Sequence, residues 1–194
     1  MRHVNIITQS GIKSIKQKDG AAGYVLETQT AKGPATLSRI FTVRGLTANA
    51  SELTVLIEAL KRLREPCSLT IYTDSAYMAN AVKSGWTERW AEAGWQTIKG
   101  KDVANKELWQ ELIKLLRQHE VSFDTEKDIG YRSWLETEIK RKENAQMKKI
   151  IPLAVSIVLL LTACGQKAND QITTAPPPTI AVQEETQPLQ PFTG

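Results

Sequence analysis

The sequence predicts an α/β protein in which helices flank a sheet, and three observations support this class. Three strand-like segments, separated by a polar loop and a turn, come first. An amphipathic helix then precedes a buried strand that ends in a carboxylate, and a second amphipathic helix, a short strand and a final helix follow. Periodicity alone does not separate α/β from α+β. The 194 residues, 41% of them hydrophobic, are enough for one domain with a sizeable core and appendages.

The first three strands are predicted at residues 3–8, 22–29 and 35–44, with a turn at Lys32-Gly33-Pro34 between the second and the third. A helix is predicted over residues 49–65, because its leucines and isoleucine form one apolar stripe and Pro66 ends it. The apolar segment 69–73 predicts the next strand.

Two acidic residues stand out in this part of the chain. Asp74 follows the strand at 69–73, at the end of a sheet where α/β proteins bind ligands. Glu52 lies one turn before Leu56 and therefore points toward the buried side of its helix. The plainer interpretations are that Asp74 caps the following helix and that Glu52 is a favourable first-turn acid.

The motifs around these acids occur together, and in the same order, in one known family. They are the segments 49–53, 71–77, 85–90, 94–97, 103–105 and 108–110. Block after block they resemble bacterial ribonuclease H, over about residues 2–123. The resemblance implies a five-stranded mixed sheet flanked by helices. It also implies cleavage of the RNA strand of an RNA/DNA hybrid by Mg²⁺ ions held on acidic residues.

On this resemblance Glu52 and Asp74 are catalytic residues and metal ligands, but Gln9 stands at the family's first aspartate. An amide oxygen is neutral and lacks the charge that holds a hard cation. We therefore expect Mg²⁺ or Mn²⁺ to bind weakly or at a single position, with little or no cleavage. If no metal binds, the two acids repel each other, and the pKa of one is expected to be raised.

The far end of the predicted site also departs from the family. No histidine follows His119, so the family's loop histidine is missing. Glu136 or Glu138 is a substitute for the family's fourth acid, in a register that the sequence does not fix. The plainer interpretation is that both glutamates pair with Lys140 and Lys142 on a solvated helix.

The residues that bind nucleic acid in the family are better preserved. Thr47 and Asn49 match the family's residues at the start of the helix at 49–65, and Asn105 matches an asparagine that holds a backbone phosphate together with the threonine. Neutral hydrogen-bond donors suit that task. A second set resembles the family's basic handle for the DNA strand: Trp86, Trp90, Trp95, Lys99 and Lys101. The alternative for the three tryptophans is that they only pack the helices of the handle together. The net charge of +4 fits a polyanionic partner.

Residues 147–164 have a different character. Met147, two lysines, an apolar run and a segment ending in Cys164 resemble a bacterial lipoprotein signal peptide with its lipidation cysteine. Residues 165–194 are rich in Pro, Thr and Gln and are predicted to be disordered. The expected organisation is a domain over residues 1–146, the hydrophobic segment and the tail. The two cysteines are too differently placed for a disulfide framework, and Cys67 is expected to be a small buried hydrophobe.

Three explanations compete for this hydrophobic segment. The one we favour is that an upstream reading frame has run into a neighbouring lipoprotein gene. The others are a membrane anchor and a helix that docks on the domain. We expect a cytoplasmic monomer, associated with the membrane only if the segment is used. For function, the first hypothesis is a domain that binds RNA/DNA hybrid or duplex nucleic acid and cleaves little or not at all. The alternatives are an active Mg²⁺-dependent hybrid nuclease and a protein-interaction module that has kept only the fold.

Overall fold

The computed structural model describes residues 1–124 and 130–162, with side chains as far as residue 148. Its centre is a five-stranded sheet in the order β3-β2-β1-β4-β5. The strands are β1 Arg2–Ser10, β2 Lys18–Thr30, β3 Gly33–Leu46, β4 Cys67–Tyr72 and β5 Glu120–Asp124. The helices are α1 Ala48–Leu60, α2 Ala76–Lys83, α3 Trp86–Glu92, α4 Lys106–Leu116 and α5 Gly130–Thr162.

The sheet is mixed, which confirms the predicted architecture. β1 is antiparallel to β2 and parallel to β4, and β4 is parallel to β5. Because β1 and β4 run in the same direction, their carboxyl ends meet at one edge of the sheet. Gln9 lies inside β1, and Asp74 follows the end of β4.

Helices cover both faces of this sheet. Neighbouring residues of a strand point to opposite faces, and Ile6 and Ile7 accordingly belong to different apolar clusters. The larger cluster contains α1, α2 and α4 side chains, including Leu56 and Trp109. On the other face, Leu135 of α5 packs with Ile7 and Val25. Cys67 is buried, as predicted.

The boundaries of several elements differ from the predicted ones. β2 and β3 are longer, because their ladder continues from the turn at one end to a bulge near Gly20 at the other. α1 ends at Leu60, where the N–H groups of Arg62 and Leu63 bond carbonyls three residues back and tighten the last turn. Since α1 begins at Ala48, Glu52 lies in its second turn, and the first turn contains no acid. The first-turn interpretation of Glu52 is therefore wrong.

Helix α5 is tied to the sheet by polar contacts as well as by Leu135. The Glu143 Oε1 atom accepts a 3.0 Å hydrogen bond from the N–H of Ala21, and Gln146 donates to the hydroxyl of Thr42. Contacts divide the chain into units Met1–Ala154 and Val155–Gly194. Cys164 and the tail lie outside the described residues. Within the described ranges, no helix has the length and apolarity needed to cross a membrane.

Candidate metal and nucleic-acid site

The first part of the site lies where the end of β1 meets α1. The hydroxyls of Ser10 and Ser51 are hydrogen-bonded at 2.7 Å, and they join strand and helix. The backbone N–H of Ser10 donates to the carboxylate of Glu52, whose exposed fraction is only 6%. Glu52 thus points inward, as its position before Leu56 predicted.

Burial sets the ionisation of Glu52. The pKa of this carboxyl is raised above its ordinary value of 4.5, because burial penalises the charged form. Lys13, the Ser10 N–H and Arg132 act in the opposite direction and favour the carboxylate. The sequence predicted a raised pKa from repulsion between Glu52 and Asp74, but the cause is desolvation.

Asp74 lies just after β4, on the loop before α2. The cap of α2 is Ser75, whose hydroxyl accepts a 3.2 Å hydrogen bond from the N–H of Met78. The helix-cap interpretation of Asp74 is therefore wrong. Its carboxylate is available for other contacts, and its side chain is 37% exposed.

Two cations contact Asp74. The Arg132 Nη1 atom of α5 forms an ion pair with the Oδ1 atom of Asp74. The Lys13 Nζ atom, from the loop after β1, lies 3.7 Å from the Oδ2 atom. Both carboxylate oxygens therefore face a positive charge supplied by the protein. Arg132 is buried, with an exposed fraction of 8%.

The sequence contains a signal for Arg132 that our predictions did not use. Arg132 precedes Leu135 and Ile139 by three and seven residues, so it continues the buried stripe of α5. A charged side chain on such a stripe needs a partner.

The predicted substitutes for the fourth acid lie elsewhere on α5. Glu136 is exposed, and Glu138 pairs with Arg141 at 3.4 Å. The predicted partners of these glutamates were Lys140 and Lys142, and for Glu138 this is corrected to Arg141. The contact from α5 to Asp74 is made by a cation.

The lining of the site does not fit a pair of divalent cations. Gln9 is 3% exposed, and its buried Oε1 atom has no hydrogen-bond partner among the described residues. Among the described residues, the Oε2 atom of Glu52 and the Nε and Nη2 atoms of Arg132 are also buried without a hydrogen-bond partner. Nowhere in residues 1–124 or 130–148 do three acidic, histidine or cysteine side chains form a group that could hold a metal ion. The site contains two acidic groups, one amide and two cations, so the protein itself supplies one positive charge for each acid.

The residues predicted to hold a phosphate lie at the starts of two helices that pack against each other, α1 and α4. Thr47 caps α1, and its hydroxyl accepts a 3.3 Å hydrogen bond from the N–H of Ala50. Asn49 is exposed in the first turn. Asn105 precedes α4 with a φ of 59°, and its side chain makes no capping hydrogen bond. The amides of both asparagines are therefore not used as helix caps.

The three predicted handle tryptophans form part of a continuous aromatic group. We call Tyr77, Trp86, Trp90, Trp95 and Trp109 the tryptophan cluster. Its ring centroids lie 5.5–6.5 Å apart in tilted or edge-on pairs. Trp109 is fully buried, whereas the three handle tryptophans are half-buried. This packing agrees with the structural interpretation of the rings and leaves each of the three an accessible edge.

The basic residues of the handle follow the tryptophan cluster in a turn. Lys99 and Lys101 are both exposed. The turn is held by the N–H of Thr97, which donates to the carbonyl of Lys101 at 2.7 Å. Ile98, in the same turn, is 85% exposed.

Comparison with known proteins agrees with this architecture. The family profile of RNase H matches residues 3–126. The chain is 35% identical over 123 residues to a ribonuclease H of Clostridium botulinum, covering 63% of this chain and 81% of that protein. It is 52% identical over 77 residues to a ribonuclease H of Chlorobium chlorochromatii, covering 40% of this chain and 53% of that relative. The chain thus spans about half the length of the Chlorobium protein.

Solved structures share the fold. LC9-RNase H1, a type 1 RNase H with the type 2 active-site motif, superposes with a TM-score of 0.63 at 19% identity, covering 75% of this chain and 74% of the other. A foamy viral protease-reverse transcriptase in complex with dsDNA gives a TM-score of 0.54 at 15% identity, covering 73% and 93%. With the profile match extending over more than half of its length, the chain belongs to the ribonuclease H family.

Proposed function

We propose that residues 1–146 form a domain that binds RNA/DNA hybrid or duplex nucleic acid and cleaves it little or not at all. The observation that carries this proposal is the set of charges around Asp74. A two-metal hydrolysis needs anionic ligands that bridge both ions. Here Gln9 is neutral, and Asp74 already faces Arg132 and Lys13. Glu52 and Asp74 together provide at most a weak, single position for Mg²⁺ or Mn²⁺.

The binding part of the proposal rests on residues outside that site. The side-chain amides of Asn49 and Asn105 lie at two helix starts and do not cap them, and Lys99 and Lys101 provide exposed charges after Trp95. Phosphate contacts of this kind set the position of a duplex without reading its bases. A relative of this fold, the foamy viral protease-reverse transcriptase, was solved in complex with dsDNA, which supports a duplex partner.

A cleavage assay on a labelled RNA/DNA hybrid, with Mg²⁺ or Mn²⁺, tests the chemistry. We expect negligible turnover by the unmodified chain. The Gln9→Asp variant, assayed beside it, measures how much of the deficit is due to the amide. Turnover by the unmodified chain that disappears in Asp74→Asn would overturn the proposal in favour of an active nuclease.

Binding measured over a salt series tests the surface. Replacing both handle lysines, Lys99→Gln with Lys101→Gln, should lower the slope of log affinity against log salt by about 1–2. The matched control is Lys32→Gln, because this exposed lysine lies in the β2–β3 turn at the opposite end of the sheet from Gln9. Affinity for hybrid that does not change with salt would point to the protein-interaction alternative.

For residues 147–164 we propose that the lipoprotein-like sequence, with Cys164, has no designed role in the domain, which acts as a cytoplasmic monomer. The support is the signal-peptide-like composition of this segment and its position beyond the ribonuclease H match, which covers residues 3–126. Cell fractionation tests the proposal. Recovery of the intact chain wholly in the membrane pellet would contradict it and favour an anchor.

A further inference from the structure

The protein itself supplies the cations of the carboxylate site. Lys13 and Arg132 both contact Asp74, and both also favour the ionised form of Glu52. The site therefore holds two acids and two bases beside the neutral Gln9. Such a site has no electrostatic need for an added cation.

Helix packing places the Arg132 guanidinium there. Leu135 and Ile139, on the same stripe of α5, are fully or almost fully buried, at 0% and 2% exposed. Glu143 fixes the helix to β2 one further turn along. The guanidinium therefore lies at Asp74 because α5 is docked on the sheet. A guanidinium also stays charged at all working pH values.

We propose that Arg132, with help from Lys13, is the resident cation of this site and keeps divalent ions off Asp74. A metal ion ligated by Asp74 would have to separate the carboxylate from Arg132. It would leave a guanidinium that is already nine-tenths buried, with two nitrogens lacking hydrogen-bond partners among the described residues. An unpaired buried charge is strongly unfavourable, so the ion pair competes with the metal.

The test is Mn²⁺ binding by the full chain without nucleic acid, followed by the electron paramagnetic resonance signal of free Mn²⁺. The unmodified protein should bind Mn²⁺ no better than Asp74→Asn does. Arg132→Met removes the charged guanidinium and keeps an unbranched apolar side chain about as long as the aliphatic part of arginine. This variant should bind one Mn²⁺ at least about tenfold more tightly. Arg132→Lys keeps the positive charge and should behave like the unmodified chain.

Two further variants make the result specific. Adding Asp74→Asn to Arg132→Met should abolish the gained affinity, which would locate the ion at this carboxylate. Lys13→Gln, at a side chain that is 60% exposed, is expected to fold normally and to give a smaller gain of about two- to threefold. Thermal melts of each variant establish folding. Tight Mn²⁺ binding by the unmodified chain that Asp74→Asn removes would overturn the proposal, even if Arg132→Met did not fold.

A second arm concerns nucleic acid and rests on the proposed function. If the resident cation replaces the metal, affinity for hybrid in Mg²⁺ and in EDTA at matched ionic strength should agree within about twofold. An affinity that falls tenfold or more in EDTA would overturn the inference. A complete lack of hybrid binding would instead count against the proposed function, and the Mn²⁺ result would still stand.

Discussion

The tryptophan cluster and the carboxylate site belong to the same domain, but their side chains are satisfied in different ways. In the tryptophan cluster the rings contact one another, and Trp109 makes edge-on contacts with both Tyr77 and Trp90. In the carboxylate site Gln9, Glu52 and Arg132 all contain buried polar atoms without a described hydrogen-bond partner.

This difference indicates that the two regions have different roles, one in stability and the other in binding or excluding a ligand. Rings that fill space contribute directly to the free energy of unfolding. Buried polar groups with missing partners cost stability, and their presence is better explained by what they hold or exclude. Removing a ring from the tryptophan cluster should therefore destabilise the protein, whereas neutralising the buried acid of the carboxylate site should stabilise it.

The largest effect is expected at the centre of the tryptophan cluster. Trp109→Ala removes a fully buried ring that contacts Tyr77 and Trp90, and it should lower the free energy of unfolding by about 3–5 kcal/mol. Urea unfolding followed by circular dichroism measures this. The control is Trp134→Ala on α5, a side chain that is 42% exposed and should cost less than about 1 kcal/mol. If both variants lost the same free energy of unfolding, the tryptophan cluster would not have the special role in stability that we assign to it.

The next effect concerns the backbone beside the carboxylate site. Gly23 of β2 is paired with Gln9, and a Cβ atom there would collide with Ile40 and lie 2.8 Å from the carbonyl oxygen of Arg39. Gly23→Ala should therefore destabilise the protein by about 1–3 kcal/mol, measured by thermal unfolding. Gly130→Ala is the control, since open space surrounds its Cβ position. If Gly23→Ala left the stability unchanged, the side chain of Ile40 and the strands near Gln9 would be able to shift and accommodate the added methyl group.

A gain in stability is expected at Glu52. The folded-state pKa of Glu52 is raised, so the folded protein favours the protonated side chain. The contribution of Glu52 to the free energy of unfolding is therefore complete below the unfolded pKa of about 4.5, and it is lost as pH rises through the folded pKa. Glu52→Gln should thus stabilise the protein at neutral pH and leave its stability unchanged near pH 4. Melting temperatures across this range measure it, with the exposed Glu136→Gln as control. A destabilised Glu52→Gln at neutral pH would mean that the attraction to Lys13 and Arg132 outweighs burial.

The smallest effect is expected at His119, a partly buried base whose effect on the pH dependence of stability is opposite to that of the buried acid Glu52. The Nδ1 atom of His119 accepts a 3.1 Å hydrogen bond from the N–H of Cys67, and partial burial lowers the pKa of this histidine. Its stabilisation is therefore present above the unfolded pKa of about 6.5 and is lost as pH falls through the folded pKa, the opposite direction from Glu52. His119→Asn keeps an acceptor without titrating, so it should remove this acid loss, under about 1 kcal/mol, from the pH profile of unfolding. An unchanged profile would exclude His119 as its source.

The fold could be predicted from the sequence because its signals are local or shared with the family. The stripe of α1 and the apolar run of β4 mark their own elements, and the order of motifs indicated the five-stranded mixed sheet. Element ends were less accurate: the β2–β3 ladder depends on pairing between strands, and the last turn of α1 depends on local hydrogen bonds.

The site could be predicted only in part. The burial of Glu52 followed from its helical spacing, and the position of Asp74 followed from the end of β4. The partners of Asp74 were missed because Lys13 and Arg132 lie far from it along the chain. The resemblance to the family predicted an acid from α5 beside Asp74, and the structure places an arginine there.

The two-sided construction of the sheet has a kinetic consequence. Glu52 comes from the helix on one face, and Arg132 comes from α5 on the other, which is the last described element to leave the ribosome. During synthesis, the pairing of Asp74 with Arg132 can therefore form only after β1 and β4 are both available to pair. An interaction made so late contributes little to how fast the chain folds and slows mainly the rate at which it comes apart.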